Sequence, residues 1–214
     1  MQLLSINLGL PRLAVYNGQP YSTAINKSPV AGAVELGPTG LSGDKQADIS
    51  VHGGPDKAVC CFPSEHFPFF TRQLGAPIGP SSFGENFTLA DALEDEVRIG
   101  DTYRNGAGVI VQFSQPRQPC FKLAGKHQRP DIIPMIHQAG FCGFYFRTLT
   151  GGSVAAGDAF ELVARPNPRL SVRDTFWAKF APDAPLELVQ LLADAPGLAQ
   201  GWRDHFAARL ATNH

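Results

Sequence analysis

The sequence predicts a mostly β fold with inserted helices, followed by a small three-helix C-terminal domain. Three observations carry that expectation. Glycine and proline are frequent, 22 and 18 of 214 residues, which suits many short elements better than long helices. Two β-rich runs flank an Asn105-Gly106 turn signal. Beyond Pro166 and Pro168 the hydrophobic period turns helical. The boundary is therefore drawn with a sheet domain over residues 1–168 and a helical domain over 169–214.

The elements follow in chain order. The opening MQLLSINL is a short apolar strand, and GAVELGPTGLSGD ends a strand in a glycine-rich turn. A helix is expected over residues 64–74, stopped by Gly75, and another over 131–139, stopped by Gly140. Pro68 and Pro134 sit in or near their first turns and push the helix starts later. VRIGDTYRNGAGVIVQFSQP is the clearest hairpin. In it Val109, Val111 and Phe113 alternate with Ile110, Gln112 and Ser114, and Ile110 implies a strand covered in part on both faces. The Gly100-Asp101-x-Tyr103 pattern recurs at Gly157-Asp158-x-Phe160. Two such turns leading into strands suit a closed, curved sheet. In the tail, Ser171 and Asp174 make a capping-box variant. PLELVQLLADA and AQGWRDHFAARLA then supply two more helices. About 45 residues are too few for a generous core, so the tail is expected to pack on the sheet domain or on a partner subunit.

Composition excludes several function classes. The formal net charge is −1, from 18 basic and 19 acidic residues, with no long basic run, which argues against nucleic acid as the main partner. Neither a secretory signal nor an eighteen-residue apolar run is read, so a cytoplasmic protein without membrane association is expected. The cysteines, Cys60, Cys61, Cys120 and Cys142, show no C-x-x-C spacing, and a reducing compartment fits them.

Three constellations carry possible chemistry. Cys120 lies in SQPRQPCFKL, where Pro116 and Pro119 prevent a central strand from simply continuing and so set the thiol in a stiff turn. Arg117 and Lys122 flank it. Positive charge favours a thiolate, which is a nucleophile and a soft metal ligand. The second is GLSGDKQADISVHGGPDKAV. His52 precedes Gly53 and Gly54, whose backbone amides can point at an anion, and Lys45 and Lys57 add charge. The third is the polar turn Phe83-Gly84-Glu85-Asn86, where Asn86 can satisfy backbone groups or hold a ligand's polar edge. Arg147 follows an aromatic run and is placed to reach a phosphate. Cys60 and Cys61 face opposite ways if the segment is a strand. Cys142 and His66 read as packing residues, and His127, His137, His205 and His214 make no ligand spacing with one another.

Together GLSGDKQAD, VHGGPDKAV, FGENF, IGDTYRNG, QPRQPCFKL and GFYFRTLTGGSVAAGD resemble the MOSC domain, and more narrowly its YiiM-like branch. The resemblance spans residues of roughly 40–165, and the helical tail is similar to the three-helix domain that follows MOSC in that branch. It implies a MOSC-type β-barrel that binds the molybdenum cofactor, a molybdopterin-type pterin dithiolene with a phosphate. It places metal ligation or sulfur carriage on Cys120 and cofactor-pocket roles on His52, Gly53 and Gly54. Lys57, Asn86, Arg117, Lys122 and Arg147 are its further candidate cofactor contacts.

The YiiM-like enzymes reduce N-hydroxylated purines and related N-hydroxylated compounds, so a molybdenum-dependent oxidoreductase is the leading expectation. Neither a flavin, a nucleotide nor an iron–sulfur fingerprint is present, so the electrons must come from an external redox protein. The alternative is a sulfur carrier, with a persulfide on Cys120 delivered by a cysteine desulfurase. A third reading is a non-catalytic interaction module. A homodimer through the tail is left open.

Overall fold

The computed structural model describes residues 1–212; His214 and the last two positions of the helical domain drawn to 214 lie outside the described residues. The first half of the chain forms β1 (Gln2–Leu8), β2 (Arg12–Tyr16), β3 (Gln19–Thr23), β4 (Ser28–Val30), β5 (Val34–Gly37), β6 (Gly40–Leu41), β7 (Val59–Pro63), α1 (Phe67–Leu74) and β8 (Phe87–Ala90). The second half adds β9 (Thr102–Asn105), β10 (Ile110–Pro116), α2 (Phe121–His127), α3 (Ile132–Ala139), β11 (Phe144–Thr150), β12 (Gly152–Val154) and β13 (Phe160–Ala164). Helices α4 (Val172–Phe180), α5 (Leu186–Ala193) and α6 (Gln200–Thr212) complete it.

Local chemistry explains the boundaries. β9 and β10 pair antiparallel, with Arg104 opposite Ile110. Their connection is longer than a two-residue turn because the Asn105 side chain closes it, accepting the amides of Ala107 and Val109 at 3.1 and 2.9 Å. A 3₁₀ turn over Ser64–His66 precedes α1, so the helix proper starts at Phe67 with Pro68 in its first turn, where a missing N–H costs nothing. Gly75 and Gly140 stop α1 and α3 in left-handed conformation, with φ of 67° and 71°. Ser171 caps α4 by accepting the Asp174 amide at 3.0 Å.

The expected closed barrel is not formed. The strands divide into three sheets: eight strands in the order β13-β9-β10-β11-β7-β8-β1-β4, three in the order β12-β5-β6, and the β2-β3 hairpin. β13 approaches β1 through a single bridge, Gln2 to Ala159, rather than a ladder. Register shifts at Leu3/Ser5, Phe113/Gln115 and Leu162/Ala164 bend the large sheet without sealing it. The β7–β8 pair is parallel, which needs a crossover, and α1 lies in that connection. The result is a mixed α/β domain with a three-helix C-terminal region. In the two Gly-Asp turns, Asp101 and Asp158 act as local braces. Asp101 accepts Arg165 at 2.7 Å and Asp158 accepts the Asn105 amide at 2.9 Å.

The core is aromatic. Phe62 stacks on Phe83 with centroids 3.8 Å apart, and Phe113, Phe144 and Phe146 are fully buried beneath the central strands. The helical region packs on the sheet domain. Ser114 of β10 accepts the Ala199 amide at 2.8 Å, and Val97 accepts that of Val172 at 3.1 Å. At this seam a Cβ on Gly197 would stand 2.6 Å from the Gly100 α-carbon, so both chains pass as bare backbone.

One buried ionisable pair ties the inserted helices to the sheet. Glu94 is fully buried. It meets His66 Nε2 at 2.6 Å and accepts the Gly143 amide at 2.8 Å. His66 stacks on Phe141 at 3.8 Å, so it is the packed residue the sequence suggests, with a carboxylate partner 28 positions away. Replacing Glu94 by alanine strands both donors in the core. Glu94→Ala should lose roughly 3 kcal/mol or more in urea unfolding, and Glu94→Gln, which still accepts one bond, markedly less.

Candidate functional site

Strand β7 sets the geometry of the site. It pairs with β11, Cys60 opposite Tyr145, and runs parallel to β8, Cys61 opposite Phe87. Alternation turns Cys61 into the core at 0% exposure and leaves Cys60, 7% exposed, on the opposite face. On that face a cleft opens with about 650 Å³ of empty space, including its solvent-facing mouth.

The site residues reach the cleft from separate elements. β10 ends at Pro116, and Arg117 donates its amide to Gly143 at 3.0 Å. Pro119 has no N–H to extend a ladder, and Cys120, extended at φ −129° and ψ 168°, becomes the N-cap of α2. The stiff turn is thus a strand-to-helix joint, with Cys120 half-buried at its corner. Opposite stands the His-Gly-Gly loop. Asp48 accepts the Ser50 amide at 3.1 Å and its hydroxyl at 2.6 Å, while His52 donates its amide to Asp48 at 2.9 Å. Gly53, at φ 97°, passes so close to Gln46 that a Cβ would meet its side chain at 3.1 Å. Lys57 donates to the Val51 carbonyl at 2.7 Å.

His52, Gly53, Lys57, Asn86, Arg117, Cys120 and Lys122 all line this one cleft. Gly54 and Arg147 are not among its lining residues. Gly54 caps the 3₁₀ turn Pro55–Lys57, and Arg147 grips Asp56 of that turn at 2.7 Å and Gln112 at 2.8 Å. Asn86 is a structural hub. Its side-chain oxygen accepts the Cys60 amide at 3.2 Å, and its NH₂ serves Asn7 and Asp44 at 3.2 and 2.9 Å. Asp44 in turn pairs with Lys27.

Five cations line the cleft, Lys27, Lys45, Lys57, Arg117 and Lys122, and none of its lining residues is acidic. Arg117 is the most unusual. It is 7% exposed, and among the described residues its guanidinium has neither an ion pair nor a side-chain hydrogen bond. Burial works against its charge, but the negative forms of Cys60, Tyr145, Cys120 and Glu85 outweigh that and raise its pKa. Burial pushes the Cys60 thiol up, while Arg117 and a hydrogen bond from Tyr145 pull the other way. Burial also lowers the His52 pKa, and the charges of Lys122, Lys57 and Arg117 lower it further, so its imidazole is neutral at pH 7.

Chemically, the cleft offers an accessible thiol beside a buried, uncompensated cation. Among the described residues no group of three or more His, Cys, Asp or Glu side chains is placed to hold a metal ion. The expectation of a molybdenum-binding site is corrected here: the described residues hold no cluster of side chains that would bind the metal by itself. Sequence reasoning missed Lys27, Cys60 and Tyr145 as cleft residues. The alternation of Cys60 against Cys61 was a usable signal, and Tyr145 follows from its register with Cys60. Lys27 reaches the cleft through a long-range pair with no local signature. No helix among the described residues is long and apolar enough to cross a membrane.

Comparison with known proteins now fixes the family. The MOSC domain matches residues 48–161, and the YiiM-like 3-alpha helix domain matches residues 170–213. An uncharacterized protein, YflK of Bacillus subtilis, is 41% identical over 95% of this chain and 92% of its own. A protein of Gibberella moniliformis named Reductase is 32% identical over 79% of this chain, which spans 30% of that longer protein. The crystal structure of YiiM from Geobacillus stearothermophilus superposes with a TM-score of 0.83 at 38% identity, covering 98% of each chain. The chain belongs to the MOSC family, in the branch that joins a MOSC domain to a YiiM-like three-helix domain.

Proposed function

We propose that this protein is a molybdenum-cofactor-dependent reductase that converts N-hydroxylated purines and related N-hydroxylated compounds to amines. The observation that carries the reading is the pairing of the half-buried Cys120 thiol with the buried Arg117 guanidinium, in a cleft with no lining acid. That donor set fits an anionic cofactor with a soft metal. Cys120 would supply one thiolate ligand; Arg117, Lys57 and Lys122 would face its anionic groups, and the Gly53 amide would add a donor. The cofactor, when bound, supplies two-electron redox chemistry that no side chain here provides. The balance is R–NHOH + 2 e⁻ + 2 H⁺ → R–NH₂ + H₂O, with the electrons from an external redox protein.

The protein's own part is placement. Arg147 braces the 3₁₀ turn through Asp56 and so holds Lys57 and the His-Gly-Gly loop from behind. Asn86 locks β7 to β8 and β1, which keeps Cys60 and Tyr145 at the cleft floor. Neutral His52 presents an imidazole without adding to the local cation repulsion. The name Reductase on a fungal relative agrees with the reading.

Expression in a host with an intact cofactor supply tests it. Molybdenum and pterin should copurify with the wild type, and Cys120→Ala and Arg117→Leu should each retain about tenfold less. Absence of both from the wild type would reject the reading, and a persulfide on Cys120 by intact mass, without metal, would replace it with sulfur carriage. A second expectation concerns pH. An unfolded histidine gains its proton near pH 6.5, whereas His52 resists it when folded. Its contribution to stability is therefore present above about pH 6.5 and lost as pH falls toward its lower folded pKa. The His52→Gln melting temperature should accordingly decline less than that of the wild type from about pH 7 to about pH 5.

A further inference from the structure

A second groove lies apart from the cleft and shares none of its lining residues. It runs between the end of α3 and the outward face of α4, where the helical region meets the sheet domain. It holds about 920 Å³ of empty space, including its open mouth. Helix α4 buries Val172, Thr175, Phe176 and Ala178 on its inner side. Its outer stripe, Arg173, Trp177 and Phe180 at helical spacing, lines the groove, and the two rings are 48% and 47% exposed. A helix with apolar side chains on both faces is one that is covered on both. The rings are held in place rather than loose. His137 of α3 stacks on Phe176 with centroids 5.1 Å apart and meets Phe180 edge-on at 4.6 Å and 89°. The groove therefore has a right-angled aromatic corner.

The polar atoms beside this corner single out an occupant. The Arg173 stem crosses Gly140, which ends α3 at φ 71°, and its Nε lies 3.8 Å from where a Cβ on that glycine would stand. That N–H is shielded from solvent and has no hydrogen-bond partner among the described residues. A shielded donor without an acceptor carries a cost that a bound acceptor relieves. Nearby, the last intrahelical bond of α3 runs from the Gly140 amide to the Ile136 carbonyl at 2.9 Å. The carbonyls of His137, Gln138 and Ala139 lie beyond it and accept no backbone amide among the described residues. Burial lowers the His137 pKa, so its ring is neutral at pH 7 and adds one donor and one acceptor. The charges here are matched. Arg173 faces Asp95 at 3.5 Å, Asp174 accepts the Ser171 hydroxyl at 2.5 Å, and Lys179, the lysine of α4, turns onto Trp202.

We propose that this groove binds an uncharged, planar nitrogen heterocycle of nucleobase size. Its ring lies in the aromatic corner, an edge acceptor takes the Arg173 Nε–H, and edge donors reach the α3 carbonyls. A plain hydrocarbon ring would leave the Arg173 donor unmet. A phosphorylated ligand would bring charge to a groove whose one cation already faces a carboxylate. Area sets a protein partner aside. The exposed halves of two aromatic side chains amount to roughly 200 Å². A stable protein interface buries about 800 Å² per partner. The proposal stands apart from the reductase reading, because the two sites share no residue.

Nitrogen-15 NMR of the full chain, with adenosine as probe, tests this. The chain's two tryptophans give two indole N–H signals, and Trp177→Phe assigns them by deleting one. The Trp177 signal should shift saturably with adenosine, while that of Trp202, 4% exposed, stays in place. Phe180→Ala should weaken the affinity about tenfold and Arg173→Leu about fivefold. Cys120→Ala should bind as the wild type does. If Phe180→Ala fails to fold, Trp177→Ala read by calorimetry carries the same tenfold expectation. No saturable shift in the wild type, or undiminished affinity in these aromatic variants, overturns the site. Undiminished affinity in Arg173→Leu, or toluene binding as tightly as adenosine, overturns the heterocycle. Adenosine monophosphate binding more tightly than adenosine overturns the uncharged ligand. A Trp177 shift that follows protein concentration alone, and is lost in Phe180→Ala, gives the groove to a second copy instead.

Discussion

A positive charge held in the protein interior without a carboxylate governs the architecture around it. Burying an unpaired guanidinium is costly, so the fold must surround Arg117 with groups that tolerate or favour it. The thiols of Cys60 and Cys120, the Tyr145 hydroxyl and the remote Glu85 carboxyl fill that role. Each comes from a different element, β7, the joint before α2, β11 and the turn before β8. Bringing them together requires the eight-stranded sheet, its parallel β7–β8 step and the strand-to-helix corner at Cys120.

This arrangement explains why the polar residues divide so sharply between bracing and facing. Asn86, Asp44, Arg147 and Asp56 spend their hydrogen-bonding capacity on one another and on the backbone. Arg117, Lys122 and Cys120 make no such commitments at their side chains and point their chemistry into the cleft. Residues of the same charge class thus do opposite work, and the topology decides which does which.

Much of the site could be read in the sequence because its pieces are local. The His-Gly-Gly turn and the proline-flanked cysteine announce themselves through backbone-restricting residues, and helix stops at Gly75 and Gly140 are likewise local chemistry. Barrel closure was not readable. The repeated Gly-Asp turns signal curvature, but whether the sheet edges meet depends on bulges and on how β1 is shared between β8 and β4, which are long-range facts. Helix α2 was also missed: it is short, and the proline-rich run before it masked its start. Lys27 and the His66–Glu94 pair depend on partners 17 and 28 positions away, beyond any local pattern.

The seam between Gly100 and Gly197 has a consequence for how such chains can be recombined. The two backbones touch where no Cβ would fit; two residues past Gly197, Ser114 accepts the amide of Ala199 just before α6, and earlier in the tail Val97 accepts that of Val172 at the start of α4. The helical tail is therefore keyed to its sheet like a tenon to a mortise. A foreign tail would need glycine at that depth and a free amide two residues beyond it. Exchange of whole tails between related chains should succeed only when both halves of the joint travel together.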